Sequence, residues 1–169
     1  MYLYMLFLLL SLRACSCFLP LKEKPFLQNK TISTIIDEML CLLEAEKESL
    51  KMEFSTPTHV KNKTCADSDT EKFIKGLEKI HNHVCMKRVK AGMERLRENC
   101  PSLKKSLHHD KRCSEMKTDF HRFKETLENF LRWINHNMVC KKVVITEPDL
   151  YTDDKCTCHD PQKYRKGSL

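Results

Sequence analysis

Apolar residues recur at three- and four-residue steps in four stretches of this chain, and each stretch reads as an amphipathic helix. In the first, from about Ser33 to Leu50, the residues Ile32, Ile35, Ile36, Met39 and Leu43 form one stripe. The second opens with Ser68-Asp-Thr-Glu71, a capping box whose serine and glutamate satisfy orphan backbone N–H groups. Phe73, Ile74, Leu77, Ile80 and Val84 follow it at helical spacing. The third carries Met86, Val89, Met93 and Leu96 and stops at Cys100-Pro101, because a proline disfavours the helical conformation in the residue before it. The fourth, from about Thr118 to Val139, has the longest stripe: Phe120, Phe123, Leu127, Phe130, Leu131, Ile134 and Met138. Trp133, the only tryptophan, lies beside that stripe at the edge of the core.

The connections set the topology. A few residues around His81-Asn-His83 join the second and third helices, which makes them antiparallel neighbours. The other two links are each about 17 residues, long enough to travel the length of a bundle. Two long links and one short one predict an all-α, up-up-down-down four-helix bundle. With only three glycines in 169 residues, the chain is also poor in tight turns and rich in helix formers.

The first dozen residues, Met1 to Leu12, are apolar but fewer than the ~20 needed to span a bilayer, so they read as a secretory leader. The expected division is a signal peptide over 1–17, a bundle domain over 18–141 and a charged, turn-rich tail over 142–169 outside the bundle. Ten cysteines are a heavy load for this length. In an oxidising compartment, Cys41, Cys65, Cys85, Cys100, Cys113, Cys140, Cys156 and Cys158 read as a disulfide framework. The sequons at Asn29 and Asn62 are candidate glycosylation sites in the same compartment. The formal charge of +7 is spread through helices and connections, with acidic residues interleaved, which describes a solvated mixed surface.

Bundle geometry suggests two bridges. Cys65, just before the second helix, and Cys100, at the end of the antiparallel third, share one end and can be joined. Cys85 lies at the opposite end, toward which the first helix runs, so Cys41–Cys85 is the second candidate. A helix of about 22 residues is about 33 Å long, which argues against Cys113–Cys140 unless the preceding loop doubles back. The tail cysteines could then reach Cys113 or Cys140, and Cys17, if retained, could reach Cys140.

The chain resembles the short-chain helical cytokines, and within them the interleukin-4/interleukin-13 group. The resemblance rests on Ile35-Ile-Asp-Glu-Met39, the order Cys41, Cys65, Cys85, Cys100, the Cys100-Pro101 stop, and the Phe120 to Met138 helix. That group's cysteine pattern implies the same two bridges. The stretch Glu48 to Pro57, followed by Cys65, instead resembles interleukin-5, interleukin-2 or interleukin-21 relatives. The resemblance implies a secreted, non-enzymatic protein that pairs a type I cytokine receptor α chain with a second chain, the common γ chain being one candidate. It also implies that the α chain docks across the first and third helices. The candidate contacts are Asp37, Glu38, Glu44 and Glu48 on the first, with Asp37, Glu44 and Glu48 on its outer face, and Lys87, Arg88 and Arg95 on the third.

Other chemistry finds little support. His109-Asp110-Lys-Arg-Cys113 resembles an element of secreted phospholipases A2, but the spacing is off by one and no glycine-rich calcium loop accompanies it. Cys156-Thr-Cys158-His159 could offer three metal ligands, although in a secreted chain a disulfide is the expected fate. Histidines 81, 83, 108 and 109 fall in connections and read as surface groups. No cofactor is implied. The basic connection with Lys104, Lys105, Lys111 and Arg112 is a candidate grip for a sulfated glycan such as heparan sulfate. A cationic heparin-binding or antimicrobial protein is therefore the rival reading.

Overall fold

The computed structural model describes residues 31–47, 50–80, 82–104 and 113–141, together with Cys156. Among these residues the chain forms four α-helices and one two-stranded sheet. The helices are α1 (Ile32–Ala45), α2 (Ala66–Glu78), α3 (Val84–Asn99) and α4 (Phe120–Asn137). The strands β1 (Phe54–Pro57) and β2 (Glu115–Thr118) lie in the two long links, and 3-10 turns occupy Lys63–Cys65 and Pro101–Leu103.

Helix ends follow local chemistry. Thr31 caps α1 by accepting from the Thr34 N–H at 3.2 Å, and Asp119 caps α4 by accepting from the Arg122 N–H at 2.8 Å. The start of α2 differs from the expected capping box, because Ser68 lies inside the helix. The Asn62 side chain accepts from the Thr64 N–H at 3.0 Å, and the 3-10 turn it caps leads straight into Ala66. At the other end of the first helix, α1 stops at Ala45, short of the expected Leu50. As expected, α3 ends at Cys100-Pro101, where the proline opens the next 3-10 turn.

Cross-helix contacts give the directions. From α2 to α3, Glu71 meets Arg97 at 2.9 Å and Glu78 meets Lys90 at 3.1 Å, so these helices run antiparallel. Glu38 of α1 meets Arg88 of α3, while Glu46, just past α1, meets His83, just before α3. Those contacts make α1 and α3 antiparallel as well. The Phe73 ring lies 5.1 Å from Phe130, while Gly76 packs on Phe123, which sets α2 antiparallel to α4. Lys124, in the first half of α4, donates to the Glu46 carbonyl at the far end of α1. Two helices therefore run up and two run down.

The strands were not expected. They pair antiparallel with Phe54 opposite Thr118 and Pro57 opposite Glu115. Proline at the strand's end forgoes only a terminal ladder hydrogen bond. Phe54 is buried and stacks into an aromatic seam, 5.6 Å from Phe120 and 4.7 Å from Phe123. Phe73, Phe130 and Trp133 continue that seam between α2 and α4, with Trp133 at its edge, 9% exposed. The stripe residues of all four helices meet in this one core, where each large apolar side chain contributes about 1.5–3 kcal/mol.

The disulfides correct the expected pairing. Cys65 is bonded to Cys113, Cys100 to Cys140 and Cys85 to Cys156, so neither Cys65–Cys100 nor Cys41–Cys85 forms. The shared end of Cys65 and Cys100 was assigned correctly, but their partners were not; Cys113 lies at that end too, and Cys156 reaches Cys85 and not Cys113 or Cys140. Cys65, Cys100, Cys113 and Cys140 all gather where α2 begins and α3 and α4 end, because β2 carries Cys113 back to the end it shares with Cys140. Cys140, bonded to Cys100, is not available to Cys17. Cys41 is disulfide-bonded too, and its partner lies outside the described residues. It cannot meet Cys85 because it sits about 100° around α1 from the side that faces α3.

Candidate functional site

A groove of about 120 Å³ lies between α1 and α3. Its apolar floor is Ile35, Met39 and Leu42 of α1 with Val84 and Ala91 of α3. Close packing of the two helices is possible there because α3 carries Gly92 against Met39. A Cβ at that glycine would stand 2.5 Å from the Met39 sulfur. Glu38, Lys87, Arg88 and Arg95 form the rim. Three cations and one anion around an apolar floor suit a partner surface that is apolar at its centre and acidic at its edge.

Arg88 organises that rim. One guanidinium nitrogen donates to Glu38 Oε1 at 2.6 Å and the other to the Cys156 carbonyl at 3.1 Å. Lys87, one residue earlier, is exposed, while Arg88 and Arg95 are half-buried. The inward set expected for the third helix, Met86, Val89, Met93 and Leu96, is fully buried.

On α1 the expected receptor face divides. Glu38 looks across the groove at α3. Asp37, placed on the outer face by the sequence pattern, is 4% exposed and so is not a surface charge. It is four residues from Cys41, also buried, so the side of α1 turned away from α3 is covered as well. Glu44 is exposed but belongs to the neighbourhood of α4. There burial pushes the Glu128 carboxyl above its ordinary range, Arg132 and Lys124 draw it down, and the negative charge of Glu44 adds to the rise. Glu48 lies outside the described residues.

Of the other candidates, Asn62 is exposed at its capped turn, while Asn29 lies outside the described residues. In the basic connection Lys104 is exposed, and Lys105, Lys111 and Arg112 lie outside the described residues. The same holds for His81, His108, His109, Cys158 and the expected leader over 1–17. His83 is half-buried, not a free surface group, with Nδ1 3.7 Å from Glu46. Among the described residues, no cluster of three metal-competent side chains occurs, and no helix is long and apolar enough to cross a membrane.

Sequence reasoning missed Cys156 as part of this site. The tail was expected outside the bundle, yet at Cys156 the chain is 4% exposed and bonded to the first turn of α3. The available signal was the three-residue spacing of Cys85 and Arg88, which puts whatever Cys85 binds beside the guanidinium.

A family model described as Interleukin 5 matches residues 1–139. No curated protein and no solved structure matches the chain. The matched residues include all four helices and both strands, whereas Cys140 and Cys156 lie beyond them.

Proposed function

The chain belongs to the interleukin-5 family, and from that premise we propose that it is a secreted cytokine of interleukin-5 type that pairs two type I receptor chains. The receptor α chain docks on the groove between α1 and α3. The single observation that carries this docking site is the rim of Glu38, Lys87, Arg88 and Arg95 around an apolar floor. Interfaces concentrate their energy in a few arginine and aromatic anchors, and Arg88, half-buried on the rim and held by two acceptors, is the arginine best placed for that role.

The family match supports the interleukin-5 reading over the interleukin-4/interleukin-13 group, whose motifs in α1 and α3 the chain also carries. It supports a signalling role, with no catalytic step, and secretion with it. Docking through a net positive rim accelerates association at low ionic strength.

The test is reconstituted signalling. Cells carrying the α chain, the second chain or both, with the common γ chain as one version of the second, are exposed to the purified protein. Signal should appear only when both chains are present. A response in cells with neither chain, or in none of the combinations, would overturn the reading. Among variants, Glu38→Ala, Lys87→Ala, Arg88→Ala and Arg95→Ala should each reduce potency while leaving helical circular dichroism unchanged. Arg88→Ala should cost most, about 2 kcal/mol or more.

A further inference from the structure

Arg88 is held twice, and one of its partners comes from far along the chain. Its Glu38 contact joins α3 to α1, while its bond to the Cys156 carbonyl joins α3 to a residue 68 positions later. Cys156 is there because its sulfur is bonded to Cys85. Cys85 precedes Arg88 by three residues and shares its side of the helix one turn away. The disulfide thus delivers a main-chain acceptor to the guanidinium. Cys156 is buried, so the bond is sheltered from competing water.

We propose that the Cys85–Cys156 disulfide is a positioning device for receptor binding: it fixes the Cys156 carbonyl as the second acceptor of Arg88 and so holds the Glu38–Arg88 pair in its docking orientation. The proposal rests on the α1–α3 docking site above and adds to it a part of the chain beyond the family match. An arginine free to rotate must be ordered when a partner binds, whereas one already fixed by two acceptors meets the partner with less entropy to lose. Cys156 and Cys85 act through Arg88; the partner need touch neither.

The experiment is a mutant cycle. Purified full-length protein is titrated by surface plasmon resonance against the α-chain ectodomain that binds wild type. The variants are Cys85→Ser with Cys156→Ser, Arg88→Ala, and all three together. The double serine variant should bind roughly five- to tenfold more weakly, Arg88→Ala more weakly still, and the triple variant no more weakly than Arg88→Ala. Wild-type affinity in the double serine variant, or a loss that adds in full to that of Arg88→Ala, overturns the positioning role and leaves the docking site standing. An unchanged affinity for Arg88→Ala overturns the docking site itself, and this proposal with it. Should the double serine variant lose its helical signal, nitrogen-15 spectra of wild type decide instead. Resolved, slowly exchanging Arg88 Nη protons support the device, and rapidly averaged ones overturn it.

Discussion

Gly76 sits where α2 comes closest to α4. A Cβ built on it would lie 2.5 Å from Cε2 and 2.8 Å from Cζ of the Phe123 ring, which is itself fully buried. The ring is packed on its other sides against Phe54, Phe73 and Phe120, so Gly76→Ala should destabilise by about 1–3 kcal/mol in urea unfolding. Gly92→Ala meets the flexible Met39 side chain and should cost less. Equal costs at the two positions would show that the aromatic seam is not the rigid part of the core. Asp69 is a second point of tension in the fold. It is 1% exposed, its Oδ1 is 3.4 Å from the Lys72 ammonium, and its Oδ2 has no partner among the described residues. Burial pushes its carboxyl up to about 6, with Lys72 pulling against the rise. Because the folded pKa exceeds the unfolded one, near 3.9, the folded state holds the proton more tightly. Stability from this group is present in full below pH 4 and falls as pH rises through 6. Asp69→Asn should therefore flatten the pH dependence of unfolding between 4 and 6 and raise stability at pH 7 by about 1–2 kcal/mol. A variant as pH-dependent as wild type would assign the slope to another group. Neither feature was legible in the sequence, since Gly76 and Asp69 look like ordinary residues of a helix until α4 and the Cys65–Cys113 corner close over them.

At the level of elements, helices were readable and strands were not. Each helix announces itself by a stripe over three or more turns, and Phe120 to Met138 lies within one or two residues of the observed α4 at each end. The strands are four residues each, too short for a two-residue alternation to stand out. Phe54-Ser-Thr-Pro57 becomes a strand because Phe54 fills the seam beside Phe120 and Phe123, a tertiary reason and not a propensity. Phe54→Ala should accordingly cost about 3–5 kcal/mol in chemical denaturation, a core penalty and not a loop one. A change below 1 kcal/mol would mean that β1 is an appendage to the bundle. On α1 the helical wheel put Asp37 on the outer face and gave no direction for Glu38, because the pattern marks the apolar stripe but cannot reveal that the opposite side is also covered.

For the whole molecule, loop lengths were enough to predict two helices up and two down. They could not predict the covalent map, because four cysteines converge on one end and proximity of ends does not choose among them. Non-reducing peptide mapping should return Cys65 with Cys113, Cys85 with Cys156 and Cys100 with Cys140. Recovery of Cys65 with Cys100 would restore the sequence-based pairing. Each bridge is worth about 2–4 kcal/mol through restriction of the unfolded chain, comparable to burying one large apolar side chain. The candidate site was half legible: Lys87, Arg88 and Arg95 were named from the outer face of the third helix and Glu38 from the family resemblance, whereas the groove floor and the Cys156 carbonyl needed the packed structure. The central claim is that a receptor α chain docks on α1 and α3 through Arg88. It is tested most directly by titrating wild type and Arg88→Ala against a panel of type I receptor ectodomains from the same species. Wild type should bind saturably to one α chain, and the variant at least about tenfold more weakly with its helical content intact. Equal binding of the two proteins, or saturable binding to none of the ectodomains, would contradict it.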